Sequence, residues 1–592
     1  MRIRRIGRGG RLTVLSLLGV VAVSVSTLPR MVLMAVAWRA AEPDALSPLG
    51  VLAVGAWYDL QCCLMAAMAL MPWILLPDRL WHTRGNRLAW RLVGFGLLVL
   101  FTFVAVAEVV FWQEFEVRFN FIAVDYLVYT HEVLRNLWES YRVTWVLLAV
   151  LGFALCTWKW LCPRLDAALA ATEGSWAPRP LVILFACLLI TGFAKQTDDW
   201  PRDLFANVYR QELASNGPMQ FVAAFRRNDL DFNRFYATRP AQEVNTLIRR
   251  EMREPALGRF VSTDGVRRYI DNPRPTRRLN VVLVMMESMS ADFIGHYSDA
   301  HRWAPRLDAL MADSLTFENF YATGTRTDRG LEAVTLSVPP TPGRSIVKRL
   351  GHETGYWSLG QVLRANGYDV SFVYGGRAYF DNMAAFFGGN GYRVVDQSSV
   401  PDSEISFENA WGMSDEDLYR QALQQADATH ARGKPFFMHL MTTSNHRPYT
   451  FPEGRISLPS GSGRPGAVRY ADWALGQFIE DARQHAWFED TVFVVLADHC
   501  ASSAGKVDLP AARYHIPLLI SSPKHVEPRR VDTVSSQIDV APTLLALLGI
   551  DYESVAYGRD ILTLPAEAGR ALLGNYQYLG LLADGAVTVL GP

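Results

Sequence analysis

Apolar and polar positions obey different rules on either side of about residue 200. Before it, apolar residues run in long blocks at about 12–38, 50–76, 90–113, 143–162 and 179–195. A helix needs roughly 20 such residues to cross the hydrocarbon of a bilayer. The pattern therefore predicts five membrane spans. Pro29-Arg30 interrupts the first and places that pair near an interface. That block is too long for a removed signal peptide and lacks a small-residue cleavage site, so it reads as an anchor. The segment near 114–141 is different: Phe, Tyr, Trp and Leu recur among charges at helix-like intervals. It reads either as a helix lying in the interface or as one packed on the bundle.

Beyond about residue 275 the apolar runs shorten and alternate with amphipathic stretches. Gly367–Gly376, Pro435–Ser444, Thr491–His499 and Ile516–Pro523 are strand candidates. Leu359–Asn366, Asp415–Ala428, Tyr470–Gln484 and Val540–Gly549 read as helices. Such alternation predicts an α/β domain with a mostly parallel central sheet and helices on both faces. The chain thus divides into a transmembrane domain (1–195), a helical linker (196–275) whose periodicity breaks at Asn216-Gly217-Pro218, and a catalytic domain (276–592).

Charge orients the spans. The amino terminus carries Arg2, Arg4, Arg5, Arg8 and Arg11, the second loop Arg79, Arg84, Arg87 and Arg91, and the fourth loop Lys159 and Arg164. Lys/Arg bias puts these loops in the cytoplasm, and five spans then place everything after about residue 196 outside. Overall, 58 Lys+Arg balance 58 Asp+Glu, which argues against a nucleic-acid binder driven by phosphate neutralisation. Of six cysteines only Cys500 lies in the catalytic domain, so no disulfide can staple it. Zinc-type cysteine spacings are absent.

Two buried-type strands end in acid: Asn280–Met286 is followed by Glu287-Ser288, and Thr491–Ala497 by Asp498-His499. Carboxyl ends of parallel strands are where such sheets gather ligands. Glu287, Asp498 and His499 are therefore either one metal site or the ordinary polar ends of two core strands. Between them, Thr327 follows Gly324 at the entrance of a helix-like run, among Arg326 and Arg329. A hydroxyl there suits phosphate chemistry if a metal activates it, and it equally suits an N-cap.

The ordered motifs Met286-Glu287-Ser288, Gly324–Ala333, Thr442–Tyr449, Ala497-Asp498-His499 and Ser536–Thr543 resemble the lipoteichoic acid synthase-like phosphoglycerol transferases of the alkaline phosphatase–sulfatase superfamily, over roughly residues 275–565. The resemblance implies Glu287, Thr327, Asp498 and His499 as ligands of one divalent metal, Mn²⁺ favoured over Mg²⁺ or Zn²⁺. It further implies Thr327 as nucleophile and His446 as a contact of the phosphoglycerol group. Arg326 stands where the Gram-positive enzymes carry Lys. Phe380 and Asn382 stand near where their substrate-binding Trp and Arg fall, so the chain looks like a proteobacterial member. Arg377, Arg326 and Arg329 are candidate phosphate clamps, since guanidinium pairs its donors with phosphate oxygens. Cys500 is expected to be a small buried residue beside the site.

The implied function is transfer of phosphoglycerol from phosphatidylglycerol, via phosphoryl-threonine, to an extracytoplasmic glycan or glycolipid at the bacterial inner membrane. Phosphoethanolamine transfer on the same fold and a lipid-binding regulatory pseudoenzyme are the alternatives. Sulfatase activity is disfavoured, because Thr327-Asp-Arg-Gly-Leu lacks the Cys or Ser, the Pro and the final Arg of that class's C/S-x-P-x-R motif.

Overall fold

The computed structural model describes residues 10–42, 47–126, 130–171, 183–184, 187–188, 200–226, 232–252 and 258–591. Its helices, in the order used below, are α1 (Arg11–Val36), α2 (Ser47–Leu70), α3 (Arg84–Phe115), α4 (Thr130–Ser140), α5 (Val143–Ala170), α6 (Val208–Ala214) and α7 (Gly217–Arg226). Two compact units emerge. One comprises Met1–Val128, Tyr141–Arg227 and Ala504–Asp508; the other comprises Tyr129–Ser140, Asn228–Ser503 and Leu509–Pro592.

In the first unit, α1 packs on α2, α3 and α5, and α6 lies against α2. Among the described residues four helices are long and apolar enough to cross a membrane: α1, α2 with its 3₁₀ extension to Leu75, α3 and α5. The expected fifth span, 179–195, lies outside the described residues apart from 183–184 and 187–188. Thr83 caps α3 by accepting the Asn86 N–H. The helical break expected at Asn216-Gly217 separates α6 from α7. The amphipathic segment near 114–141 contains α4, which clusters with the second unit and not with the bundle.

The second unit is built on an eight-stranded sheet of β1 (Asn280–Met286), β2 (Leu315–Phe317), β3 (Asp369–Tyr374), β4 (Arg393–Val395), β5 (Phe436–Met441), β6 (Thr491–Ala497), β7 (Leu518–Ser521) and β8 (Arg529–Val531). Their spatial order is β8-β2-β7-β6-β1-β5-β3-β4. β7 runs antiparallel to both its neighbours, and the other pairings are parallel. Every residue of β1 and β6 is buried, which is why neither strand alternates apolar with polar. Six consecutive side chains of β1, Val281–Met286, are inaccessible to solvent, each contributing about 1.5–3 kcal/mol of burial.

Helices α8 (Pro305–Ala312), α9 (Thr327–Leu336), α10 (Leu359–Ala365), α11 (Asp415–His430), α12 (Arg464–Ala482) and α13 (Val540–Leu548) also belong to this unit. α11 starts on Ser414, whose hydroxyl accepts the Asp417 N–H, and three acidic residues in its first turn face the positive end of the helix dipole. Residues after 570 form a three-stranded antiparallel sheet. The architecture is thus an apolar helical region followed by an α/β domain with a mixed, mostly parallel sheet.

Candidate metal centre and active site

β1 and β6 are neighbours in parallel register, with Asn280 opposite Thr491 and Met286 opposite Ala497. The next residue of each strand, Glu287 and Asp498, therefore emerges at the same sheet edge. Ligand atoms of Glu287, Asp498 and His499 lie within 4.8 Å of one another, and all three residues are buried. His499 Nε2 is 3.3 Å from Asp498 Oδ2 and 3.8 Å from Glu287 Oε1. α9 brings the fourth group: Thr327 Oγ1 donates to Glu287 Oε2 at 3.3 Å.

These side chains are aimed by their surroundings. Asp498 Oδ1 accepts the backbone N–H groups of Ser288 and His499, both at 2.7 Å. Its other oxygen, Oδ2, is buried without a hydrogen-bond donor. Ser288 holds a left-handed backbone (φ 50°), uncommon outside glycine. That conformation points its N–H at Asp498 while its hydroxyl donates to Glu287 Oε1 at 2.7 Å. His499 Nδ1 lies 2.7 Å from the Cys500 carbonyl, which assigns the proton to Nδ1 and leaves the Nε2 lone pair facing the carboxylates.

Electrostatics favour a cation here. Burial raises the Glu287 pKa, and the neighbouring Asp498 charge raises it further. Burial likewise lifts Asp498 to about 6, and it keeps His499 neutral by pushing its pKa down. Two carboxylates, one unsatisfied oxygen and one imidazole lone pair fit a divalent metal. Burial lifts the Cys500 thiol to about 12, and its Sγ donates to the His515 carbonyl, so it serves as packing beside the site. The His515 ring itself bonds the Glu318 carbonyl.

The remaining predicted residues separate. His446 is half-buried, its Nδ1 is 3.1 Å from the Arg447 carbonyl, and desolvation lowers its pKa to about 4. Its neutral ring lies against Trp411, with centroids 3.8 Å apart and the planes tilted by 36°. Arg326 sits at the N-cap of α9, and its charge acts on both His446 and His499. Arg329 is drawn elsewhere: it pairs with Glu332 at 2.7 Å and donates to the Gly343 carbonyl, so its guanidinium braces the loop after α9. Arg377 is half-exposed and 3.8 Å from Glu408.

Residues 279–550 match the Sulfatase family. A crystallised protein in the alkaline phosphatase superfamily from Vibrio parahaemolyticus is 36% identical, with a TM-score of 0.56 over 61% of this chain and 88% of that one. This chain belongs to the alkaline phosphatase superfamily. Within it, Lipoteichoic acid synthase 2 of Bacillus subtilis is 24% identical over 311 residues, covering 48% of this chain and 47% of the relative. Phosphoglycerol transferase I of Xanthomonas campestris is 25% identical over 302 residues, covering 48% and 43%. The chain spans about half the length of these curated relatives. Lipooligosaccharide phosphoethanolamine transferase A from Neisseria meningitidis, an integral membrane protein, shares the fold over 94% of this chain and 98% of its own, with a TM-score of 0.56 at 15% identity.

Three supports of this superfamily site escaped sequence reasoning. Gln537, in a motif quoted above without a role, donates to the carbonyls of Ala497 (2.9 Å) and Asp498 (2.7 Å) and accepts from Thr323 N–H (2.9 Å). It thereby ties the loop before Thr327 to the end of β6. Gly330 lets α9 approach, since a Cβ there would lie 2.5 Å from the Asp498 carbonyl. Lys348 lies between Asp381 (3.1 Å) and Asp328 (3.5 Å), the latter next to Thr327 in the chain. Burial would raise Asp328, but the charges of Lys348 and Arg329 hold it well below the usual range. Gln537 and Gly330 lie within motifs quoted above, whereas Lys348 lies outside them.

Proposed function

We propose that the chain is a metal-dependent membrane phosphotransferase moving the phosphoglycerol group of phosphatidylglycerol, through a phosphoryl-threonine, to a glycan or glycolipid hydroxyl outside the cytoplasm. The observation that carries this reading is the Thr327 hydroxyl, which opens a helix 3.3 Å from Glu287 Oε2 beside a second buried carboxylate. The names of the two curated relatives, a lipoteichoic acid synthase and a phosphoglycerol transferase, support the donor class. Apolar α1, α2, α3 and α5 support an inner-membrane location, and Lys/Arg bias supports a cytoplasmic amino terminus and a periplasmic catalytic domain.

Glu287, Asp498, His499 and Thr327 would hold a divalent cation, Mn²⁺ by preference, which would supply Lewis acidity easing loss of the Thr327 proton and offsetting phosphate charge. Thr327 Oγ1 gives up its proton and bonds to phosphorus as the bond from phosphorus to the diacylglycerol oxygen breaks, and that oxygen takes up one proton in exchange, so the step is proton-neutral. The N–H groups of Thr327 and Asp328 at the entrance of α9, together with Arg326, would face the phosphate oxygens. His446 has its Nδ1 proton committed to Arg447, so its Nε2 accepts a hydrogen bond from a hydroxyl. That hydroxyl belongs to the glycerol in the first step and to the acceptor in the second. The acceptor oxygen then bonds to phosphorus, and Thr327 Oγ1 leaves and regains its proton.

The test uses full-length protein with Mn²⁺ in vesicles carrying headgroup-labelled phosphatidylglycerol or phosphatidylethanolamine, quenched in acid and mapped by mass spectrometry. Label from phosphatidylglycerol on Thr327, absent in Thr327→Ala, is the expected result. Label from phosphatidylethanolamine alone would replace the donor. No label from either lipid, with metal bound, would refute transfer and favour a lipid-binding role.

A further inference from the structure

α4 belongs to the same compact unit as the catalytic sheet, although in sequence it lies between two apolar helices, α3 and α5. Its Arg135 and Glu139 pair one turn apart at 2.9 Å, and together they grip a short hairpin in which Glu408-Asn409 pairs with Gly412-Met413. Arg135 reaches Glu408 at 3.4 Å. Glu139 Oε2 accepts the Ala410 N–H at 2.8 Å, at the hairpin's tip. On the opposite face of the hairpin, Gly412 nests against Gly375 and Gly376. A Cβ on Gly412 would stand 2.3 Å from the Gly375 carbonyl, and one on Gly376 would stand 2.4 Å from the Trp411 carbonyl. The tip is therefore clamped from two sides and has little freedom to shift.

The other tip residue is Trp411. Its ring lies against His446 at a 36° tilt, meets Phe380 edge-to-face, and its indole N–H donates to the Arg447 carbonyl at 2.5 Å. That same carbonyl receives the Nδ1 proton of His446. One side chain thus fixes both the plane of the imidazole and the acceptor that sets its tautomer.

We propose that α4 is a positioning strut for His446: Glu139, through the Ala410 N–H and the Trp411 ring, sets where Nε2 presents its lone pair. A helix lying between two membrane-type helices in sequence thereby tunes substrate binding at the catalytic centre. Leu134 and Trp138, one turn apart on α4, are largely exposed, so the strut carries an apolar stripe beside its gripping pair. This inference rests on the reading that His446 accepts a hydroxyl of the lipid headgroup.

Steady-state transfer by full-length protein in phosphatidylglycerol vesicles tests it, with Glu139→Ala, Glu139→Gln, Trp411→Phe and His446→Ala compared singly and Glu139→Ala combined with His446→Ala. Glu139→Ala should raise KM for the lipid roughly three- to tenfold with kcat changed less. Glu139→Gln keeps a carbonyl acceptor and should restore most of the loss. Trp411→Phe keeps a stacking ring but loses the indole donor, and should fall between wild type and His446→Ala. In the His446→Ala background, Glu139→Ala should have no further effect, because its influence passes through that ring. Equal KM penalties in both backgrounds, or a Glu139→Ala protein indistinguishable from wild type, would overturn the strut. Failure of the wild-type protein to turn over phosphatidylglycerol would instead overturn the underlying function.

Discussion

Two clusters of buried charge, one in each compact unit, are built on opposite plans. In the helical unit Arg30 and Asp59 are both fully buried and joined by paired hydrogen bonds of 2.5 and 3.0 Å. Both partners are further satisfied from within: Arg30 donates to the carbonyls of Leu213 and Ser215, while Asp59 accepts from Thr27 and Asn216. In the α/β unit Glu287 and Asp498 sit side by side, and among the described residues Asp498 Oδ2 has no donor. A closed cluster holds helices together, because each charge already has its complement. An open one is incomplete until something positive arrives. Burial alone therefore says little about function; what distinguishes the two is whether the valences are satisfied from within.

The sharpest way to break the contrast is Asp498→Asn. It should weaken Mn²⁺ binding by more than about a hundredfold, beyond the usual effect of a residue that only supports a ligand, and abolish transfer. The metal-free variant should be no less stable than wild type, since a repulsive carboxylate is gone. Calorimetric metal titration and thermal unfolding read both; a clear loss of metal-free stability would show the open cluster to be structural.

Arg30→Met is the mirror experiment, expected to destabilise the helical unit by about 3–5 kcal/mol because it strands Asp59 without a partner. Adding Asp59→Leu should recover most of that loss. Reactivity of the buried Cys63 thiol in detergent during heating follows this unit specifically. Persistence of the defect in the double variant would mean the pair does more than close itself.

A smaller effect separates the clusters by pH. Burial raises Asp498 to about 6, so protons compete with metal up to that pH and little above it. Apparent Mn²⁺ affinity should fall about tenfold per unit below pH 6. The metal-free fold should respond in the reverse sense. Its folded pKa exceeds the unfolded one, so this group's contribution is present in acid and lost as pH rises through about 6. A flat affinity between pH 5 and 6 would contradict the assignment.

Much of this was legible in the chain. β1 and β6 are continuous apolar runs with an acid immediately after each, because strands buried on both faces cannot alternate and polar ligands can only follow them. α11 and α13 likewise announce themselves by periodicity and by Ser414, Asp415 and Gly549 at their ends. Less readable was the choice of partner. Arg326 and Arg329 have the same chemistry and lie in the same motif, yet one acts on the site's histidines and the other is spent on Glu332. The reversal of β7 was invisible for a related reason: a buried strand reads the same in either direction.

The sequence by itself determined the two regimes of apolar patterning, the acid-tipped strands and the hydroxyl at a helix entrance, since each depends on neighbours a few residues away. Tertiary structure alone decided that Glu287, Thr327, Asp498 and His499 share one pocket, that Lys348 and Gln537 buttress it, and that α4 joins the catalytic unit. Those outcomes depend on strand register and on which of several equivalent charges lies within reach, and both are properties of the packed chain.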